Sequence, residues 1–230
     1  MDIFASEGAD TTLAQPLILM YGGTFDPVHC GHLRSALELT QRLPIQRVHW
    51  IPCQVPPHRP QPQASGQDRL AMLHLATADE PLFYVDDREL RRAGPSWSVE
   101  TLEALRADYG PSQPLAMLLG WDAYLGLLSW SRAERLLDLA HLVIIARPGE
   151  SDQESPALRA WSSGRRVQDP RQLNLRPAGH LVQVTLPSQL QISASFLRQG
   201  LQQQHSMRYL TPDSVLHYIQ EHQLYQADVV

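Results

Sequence analysis

The sequence predicts an α/β fold: a doubly wound parallel sheet with covering helices and a small C-terminal helical part. Short apolar runs alternate with amphipathic stretches, which is the pattern of strands joined by crossover helices. Runs such as 17–21 (LILMY) and 141–145 (HLVII) are continuously apolar, as in strands buried on both faces. The 230 residues, 43% hydrophobic and 19% charged, suffice for one substantial core. The expected architecture is Rossmann-like.

The order of elements follows from the apolar periodicity. The predicted strands are residues 17–21, 47–51, 82–85, 115–119, 141–146 and 181–186. The predicted helices are residues 32–42, 67–78, 98–109, 132–139, 193–202 and 212–221, and Ser98 is the predicted N-cap of its helix. Ligands of such sheets bind beyond the carboxyl ends of the strands, so the residues after each strand are the first candidates for a site.

Two stretches interrupt the alternation. Residues 52–66 hold five prolines and are predicted to be neither helix nor central strand. Residues 150–179 are polar and mixed, and are predicted to be either a small helical insertion or a mobile excursion. We expect residues 1–15 to be a disordered leader and residues 16–230 to form one domain, with 187–230 as its C-terminal helical subregion.

Composition excludes several classes of protein. The net charge of −5 argues against a broad nucleic-acid surface, which needs a basic face. All 19 basic residues are arginine, so a cationic phosphate contact must come from arginine or protonated histidine. Cys30 and Cys53 lack the spacing of a zinc site or a disulfide framework. With no secretory signal and no run of membrane-spanning length, we expect a cytoplasmic protein without membrane or nucleic-acid partners.

The turn after the first strand, residues 22–32 (GGTFDPVHCGH), carries the strongest chemical signal. Gly22 and Gly23 allow a tight turn and close approach of a ligand. If a helix begins near His29, then His29 and His32 face the same side, where the helix N-terminus favours an anion. Such imidazoles can donate hydrogen bonds to phosphate or protonate and supply charge. A capped helix that merely holds two histidines is the plainer alternative for HxxH alone, but not for the whole string.

Two distant motifs together carry a family resemblance. Residues 22–32 resemble the (T/H)xGH signature of the nucleotidyltransferase superfamily, and residues 192–198 (ISASFLR) resemble its second signature, ISSTxxR. Within that superfamily, further segments resemble those of the bacterial nicotinate-nucleotide adenylyltransferases: VPPHRP (55–60), PSWS (95–98), GWD (120–122) and RPG (147–149). The resemblance runs from about residue 17 to about residue 225.

The chain departs from the family pattern at several positions. Trp97 stands where tyrosine is common, and Ser98 stands where threonine is common. Ala194-Ser195 replaces Ser-Thr, and Ala146 stands where many members carry a second arginine beside Arg147.

The resemblance implies transfer of the adenylyl group of ATP to nicotinate mononucleotide, giving deamido-NAD and pyrophosphate. It implies that His29, His32 and Arg198 are catalytic, stabilising charge on the phosphates. The implied ATP-binding residues are Gly22, Gly23, Thr24, Phe25, Asp26, Gly31, Ser193, Ser195 and Phe196. Mg²⁺ is expected to arrive with ATP, whose phosphates and waters supply most of its ligands, so no metal-binding residue is predicted.

The resemblance also implies a binding site for nicotinate mononucleotide. Its residues are His58, Arg59, Trp97, Ser98, Thr101, Gly120, Asp122, Trp130 and Arg147. Trp130 is the candidate stacking face, Ser98 the candidate reader of the carboxylate and Asp122 the candidate partner of a ribose hydroxyl. Each has a plainer alternative: Trp130 in the core, Ser98 and Asp122 as helix caps, Arg59 solvated.

Two other functions remain open from the sequence. One is another transferase of the superfamily, such as a phosphopantetheine adenylyltransferase or a cytidylyltransferase. The other is a module that senses a nucleotide without transferring it. A homo-oligomer is compatible with the sequence, and the preference for acid over amide is open.

Overall fold

The structure is a computed structural model, and it describes residues 15–56, 60–145 and 154–226. These residues form a six-stranded sheet of order β3-β2-β1-β4-β5-β6, with every neighbouring pair parallel. The strands are β1 (Leu17–Gly23), β2 (Ile45–Pro52), β3 (Phe83–Val85), β4 (Leu115–Gly120), β5 (His141–Ile145) and β6 (Leu181–Val184). The doubly wound parallel sheet is therefore confirmed. Its switch point lies between β1 and β4, where the chain reverses its direction of winding.

The helices cover the sheet as predicted, with local differences. They are α1 (Cys30–Thr40), α2 (Gly66–Thr77), α3 (Ser98–Tyr109), α4 (Trp121–Leu125), α5 (Leu136–Leu139), α6 (Pro156–Ser162), α7 (Ala194–Gln202) and α8 (Asp213–Glu221). The predicted helix 132–139 is a 3-10 turn, Ala133–Arg135, followed by α5. The short helix α4 was not predicted.

The start of α3 and the segment 150–179 bear on two predictions from the sequence. The predicted N-cap at Ser98 is wrong by one residue: Trp97 is the N-cap, without a side-chain capping bond, and Ser98 is the first helical residue. In the described part of 150–179, α6 and a 3-10 turn at Pro170–Leu175 favour the helical insertion. The predicted leader lies outside the described residues, apart from Gln15.

The sheet is buried on both faces because alternate residues of each strand point to opposite sides. In β1, Leu17 and Leu19 join an apolar cluster with α1, α2 and α8, whereas Ile18 and Met20 join a second cluster with α3, α4 and α5. All four side chains are at most 2% exposed. The C-terminal helix α8 shares the first cluster, whereas the buried Leu197 of α7 forms a small separate cluster with Met207 and Leu216. In the described parts of the chain, no helix combines the length and apolarity needed to cross a membrane.

Candidate active site

A cleft of about 740 Å³ opens at the carboxyl ends of β1 and β4, where the strand order reverses. It brings together most of the residues proposed from the sequence, although they lie up to 176 positions apart. Among its lining residues are Gly22, Gly23, Thr24, Phe25, Asp26, His29, Gly31, His32, Trp97, Ser98, Gly120, Asp122, Trp130, Ser193, Ser195 and Arg198.

Among the described residues, two that were predicted for the site do not line this cleft. Thr101 is fully buried beneath its wall, and Phe196 is 55% exposed outside it. A direct ligand contact by the Thr101 side chain is therefore corrected to a supporting position, because its hydroxyl donates to Glu89 Oε1 at 2.6 Å. His58, Arg59 and Arg147, together with the variant position Ala146, lie outside the described residues.

His29 and His32 form a reciprocal cap at the start of α1. His29 is the N-cap, and its Nδ1 accepts the backbone N–H of His32 at 3.4 Å. In return His32 Nδ1 accepts the backbone N–H of His29 at 3.3 Å. The rings stack with 3.6 Å between centroids and 20° between planes. With Nδ1 accepting, a neutral ring carries its proton on Nε2.

The electrostatic state of His29 follows from its burial. The side chain is 5% exposed, and this loss of hydration lowers its pKa from 6.5 to about 4. His29 is therefore neutral at physiological pH. Of the two roles foreseen for this residue, the structure favours hydrogen-bond donation over positive charge.

Gly31 lies in a tightly packed part of the site. A Cβ there would lie 3.0 Å from His29 Nδ1 and 3.3 Å from the carbonyl oxygen of Leu190. Both contacts are tighter than ordinary, so a side chain would displace the His29 ring or the segment 188–192. Gly31 thus allows the N-terminus of α1 and the segment that leads to α7 to lie side by side.

The opposite wall of the cleft is the N-terminus of α7. Ser193 is its N-cap, and the hydroxyl accepts the backbone N–H of Phe196 at 3.2 Å. The guanidinium of Arg198 donates to the carbonyl oxygen of Asp26 at 2.7 Å. Its Nε is buried and lacks a hydrogen-bond partner among the described residues. The second motif therefore faces the first one and is hydrogen-bonded to it.

Asp26 has a structural role beyond the one foreseen. Its carboxylate accepts the backbone N–H groups of Gln63 at 2.8 Å and Ala64 at 3.1 Å, and the hydroxyl of Tyr225 at 2.7 Å. The side chain is 4% exposed. Asp26 thereby fixes the proline-rich segment and the C-terminal end of the described chain against the turn of residues 22–27.

A buried arginine supports the same turn from beneath, and the sequence did not suggest it. Arg69 of α2 is 1% exposed and donates to three carbonyl oxygens: Thr24 at 2.8 Å, Cys53 at 2.8 Å and Ala64 at 3.4 Å. The only sequence signal was an arginine among the apolar residues of a helix. Its partners are remote, so the pattern could not identify them.

The far side of the cleft is built by α3, α4 and two tryptophans. Trp97 and Trp130 both line the cleft while packing partly against the second apolar cluster, so the core alternative for Trp130 is half right. Gly120 is the N-cap of α4, which places Asp122 in the first turn and not at the cap. Around a Cβ at Gly120 there is no atom within 4 Å, so this position is open.

The described residues were also searched for side chains that could bind a metal ion together. Across 15–56, 60–145 and 154–226, no group of three or more His, Cys, Asp or Glu side chains is arranged to hold a metal ion. The cleft nevertheless contains one buried carboxyl that the motifs did not indicate, that of Glu89.

Comparison with known proteins agrees with this geometry. Residues 20–200 match the family described as cytidylyltransferase-like. A protein of Chromohalobacter salexigens named a probable nicotinate-nucleotide adenylyltransferase is 48% identical over 86% of this chain and 90% of its own length. A protein of the same name from Yersinia pestis is 45% identical over 92% of this chain and 96% of its own length.

A solved structure shares the fold. It is the nicotinic acid mononucleotide adenylyltransferase of Plasmodium falciparum complexed with NaAD, with a TM-score of 0.71 over 92% of this chain and 98% of that one. The sequence identity is 16%, so this likeness concerns the architecture.

Proposed function

We propose that this chain, which belongs to the cytidylyltransferase-like family and within it to the nicotinate-nucleotide adenylyltransferases, transfers the adenylyl group of ATP to nicotinate mononucleotide. The products are deamido-NAD and pyrophosphate, as in a step of NAD biosynthesis. The observation that carries this proposal is the cleft itself, where the His29–His32 pair faces Arg198 and where Trp97, Ser98 and Trp130 form the remaining wall.

The reaction needs one bond to form and one to break at the α-phosphorus of ATP. A phosphate oxygen of the mononucleotide attacks in line, the bond to the bridging oxygen breaks, and pyrophosphate leaves with the electron pair. Because the acceptor is already an anionic nucleophile, catalysis consists of positioning and of stabilising charge. No side chain has to form a covalent intermediate.

The triphosphate is bound from both walls of the cleft. Nε2–H groups of His29 and His32 donate to phosphate oxygens on one side, aided by the N-terminus of α1. On the other side Arg198 contributes a cationic fork, and Ser193 with the N-terminus of α7 contributes further donors. Mg²⁺ enters as part of the MgATP substrate and neutralises phosphate charge; the chain's own residues orient that substrate.

The acceptor is held by the wall of α3, α4 and Trp130. The indole of Trp130 offers a flat face for the pyridine ring, with Trp97 beside it. Ser98 is the first residue of α3, so its hydroxyl and the N–H groups of the first turn suit a carboxylate. Asp122 is exposed at the cleft and can accept from a ribose hydroxyl.

A direct assay tests the assignment. Purified protein with MgATP is offered nicotinate mononucleotide, nicotinamide mononucleotide and phosphopantetheine in parallel, and pyrophosphate release and dinucleotide formation are measured. We expect turnover of a pyridine mononucleotide, with the acid preferred. Turnover of phosphopantetheine alone would reassign the acceptor, and ATP binding without any turnover would favour a sensing role.

A further inference from the structure

The carboxyl group of Glu89 lies in the wall of the cleft but belongs to neither motif. The side chain is 4% exposed, and its Oε1 accepts the hydroxyl of Thr101 at 2.6 Å. The hydroxyl of Ser96 is a second hydrogen-bond partner of the carboxyl group. Ser96 in turn accepts the backbone N–H of Gln54 at 2.9 Å, which connects this network to the segment that follows β2.

The two hydroxyl groups bonded to Glu89 lie on either side of the start of α3. Ser96 precedes the N-cap Trp97, whereas Thr101 lies one turn into the helix. The Thr101 hydroxyl also lies 3.5 Å from the carbonyl oxygen of Trp97. One buried carboxyl group thus holds both sides of the segment that presents Trp97 and Ser98 to the cleft.

We propose that Glu89 is a specificity-determining residue of the pyridine side: it positions the start of α3, and its charge state sets how strongly the site prefers an acid over an amide. The inference rests on the proposed function, because it assumes that a pyridine nucleotide occupies this wall. Glu89 acts mainly through Ser96 and Thr101, so it is a positioning residue.

The electrostatic reason is competition for the N-terminus of α3. A neutral Glu89 leaves the positive end of the helix dipole to a carboxylate of the ligand. An ionised Glu89 puts a second negative charge beside the same helix start, and the two like charges repel in a partly buried site. An uncharged carboxamide feels little of this repulsion. Ionisation of Glu89 therefore weakens binding of the acid more than binding of the amide.

Several neighbouring groups act on the pKa of Glu89. Burial raises its pKa above the ordinary value, the hydroxyls of Thr101 and Ser96 and the guanidinium of Arg92 oppose that shift, and the charge of Asp86 adds to it. Two further groups belong to this environment. Glu100 pairs with Arg92 at 3.3 Å, and the Cys53 thiol interacts electrostatically with Glu89.

The sign of the pH dependence follows from linkage. Because the acid binds better when Glu89 is protonated, its binding takes up protons, and its affinity falls as pH rises through the pKa of Glu89. The mononucleotide phosphate titrates in both ligands, as do the protein's histidines, so these effects cancel in the ratio of acid to amide.

The test is that ratio, kcat/KM for nicotinate mononucleotide over kcat/KM for nicotinamide mononucleotide, measured at rising pH across the whole range in which the protein stays folded and active. In the unaltered protein we expect it to fall about tenfold, which corresponds to a coupling of about one pKa unit. Glu89→Gln should make the ratio independent of pH, whereas Glu89→Asp, which still titrates, should restore a slope. Glu154→Gln, a buried carboxyl paired with Arg166 outside the cleft, should leave the slope unchanged.

If Glu89→Gln folds poorly, a second variant, Thr101→Val, can test the same inference. Thr101→Val removes a hydroxyl that stabilises the ionised carboxyl, so the inflection should move to higher pH. A flat ratio in the unaltered protein, or the same slope in Glu89→Gln, overturns this inference alone. Absence of turnover with both mononucleotides overturns the proposed function and this inference together.

Discussion

The rings of His29 and His32 stack 3.6 Å apart, and each accepts the other's backbone N–H through Nδ1. One interaction thereby caps α1, fixes both tautomers and orients both Nε2–H groups. Structure and proposed catalysis are coupled at this point, so a simple alanine substitution would disturb both. Their separation needs variants that keep one property and remove the other.

We first predict distinct effects for the two histidines. His32→Ala should lower kcat by about 10²–10³-fold, the usual loss for one donor to a transition-state oxyanion, with a much smaller change in ATP affinity. His29→Asn should lower kcat while keeping the cap, because asparagine is a good N-cap, whereas His29→Ala should also lose about 1 kcal/mol of stability. Steady-state kinetics, ATP titration and urea unfolding measure these effects. Equal losses of kcat and ATP affinity in His32→Ala would argue for a binding role only.

A second prediction concerns stability in mild acid. Burial lowers the pKa of both His29 and His141 from 6.5 to about 4, so each is neutral in the folded state but protonates when unfolded. For these two rings the unfolded state binds more protons between about pH 6.5 and about pH 4, so their contribution to the free energy of unfolding falls as pH falls. Each ring contributes at most about 3 kcal/mol to this loss.

His141→Gln isolates one half of that effect. His141 lies at the start of β5, away from the cleft, where its Nδ1 accepts the backbone N–H of His180 at 3.0 Å and its Nε2 contacts the carbonyl oxygen of Arg176 at 2.9 Å. The variant should show a smaller loss of stability between about pH 6.5 and about pH 4 than the unaltered protein. Carboxylates with lowered pKa, such as Asp86, lose their stabilising charge only below about pH 4, outside this window. An unchanged slope would refute the assignment.

The secondary structure around the two motifs could be predicted from the sequence because each motif is contiguous and its signal is local. A glycine turn after an apolar strand and a serine before a helix both depend on near neighbours, and both elements formed where expected. Even so, the α3 cap was misplaced by one residue, since serine at 98 satisfies the local pattern equally well in the first turn.

What the sequence could not predict depends on tertiary neighbours. Asp26 belongs to the first motif, yet its buried carboxylate bonds to Ala64 and to Tyr225, which is 199 positions away. Arg69 shows no pattern beyond its charge, and its partners became identifiable only from the fold. Glu89 was missed for the same reason, since its relation to Thr101 depends on how two segments meet.

A third prediction tests the link between the C-terminal segment and the phosphate site. Tyr225→Phe removes the 2.7 Å hydrogen bond to Asp26, whose carbonyl oxygen also accepts from Arg198. We expect a loss of about 1 kcal/mol of stability and a several-fold rise in KM for ATP. Tyr218→Phe is the matched control, because it removes a 3.0 Å bond to Asp68 outside the cleft. An unaltered KM in Tyr225→Phe would show that the segment only stabilises the fold.

The last prediction concerns Arg69, which donates to the carbonyl oxygens of Thr24, Cys53 and Ala64. Arg69→Met leaves these acceptors buried without the guanidinium, at about 1–3 kcal/mol for each acceptor left unsatisfied. The ATP-site turn should loosen, so KM for ATP should rise in the fraction that stays folded. Arg69→Lys should be intermediate, because one ammonium cannot reproduce the planar fork.

Arg106 offers a control of the same chemistry. It also donates to backbone carbonyl groups, those of Gln113, Leu139 and Pro177, but it does not line the cleft. Arg106→Met should therefore lower the melting temperature as Arg69→Met does, while KM for ATP at a permissive temperature stays unchanged. If both variants raised KM equally, the effect would reflect general destabilisation, and the specific support of the ATP-site turn by Arg69 would be refuted.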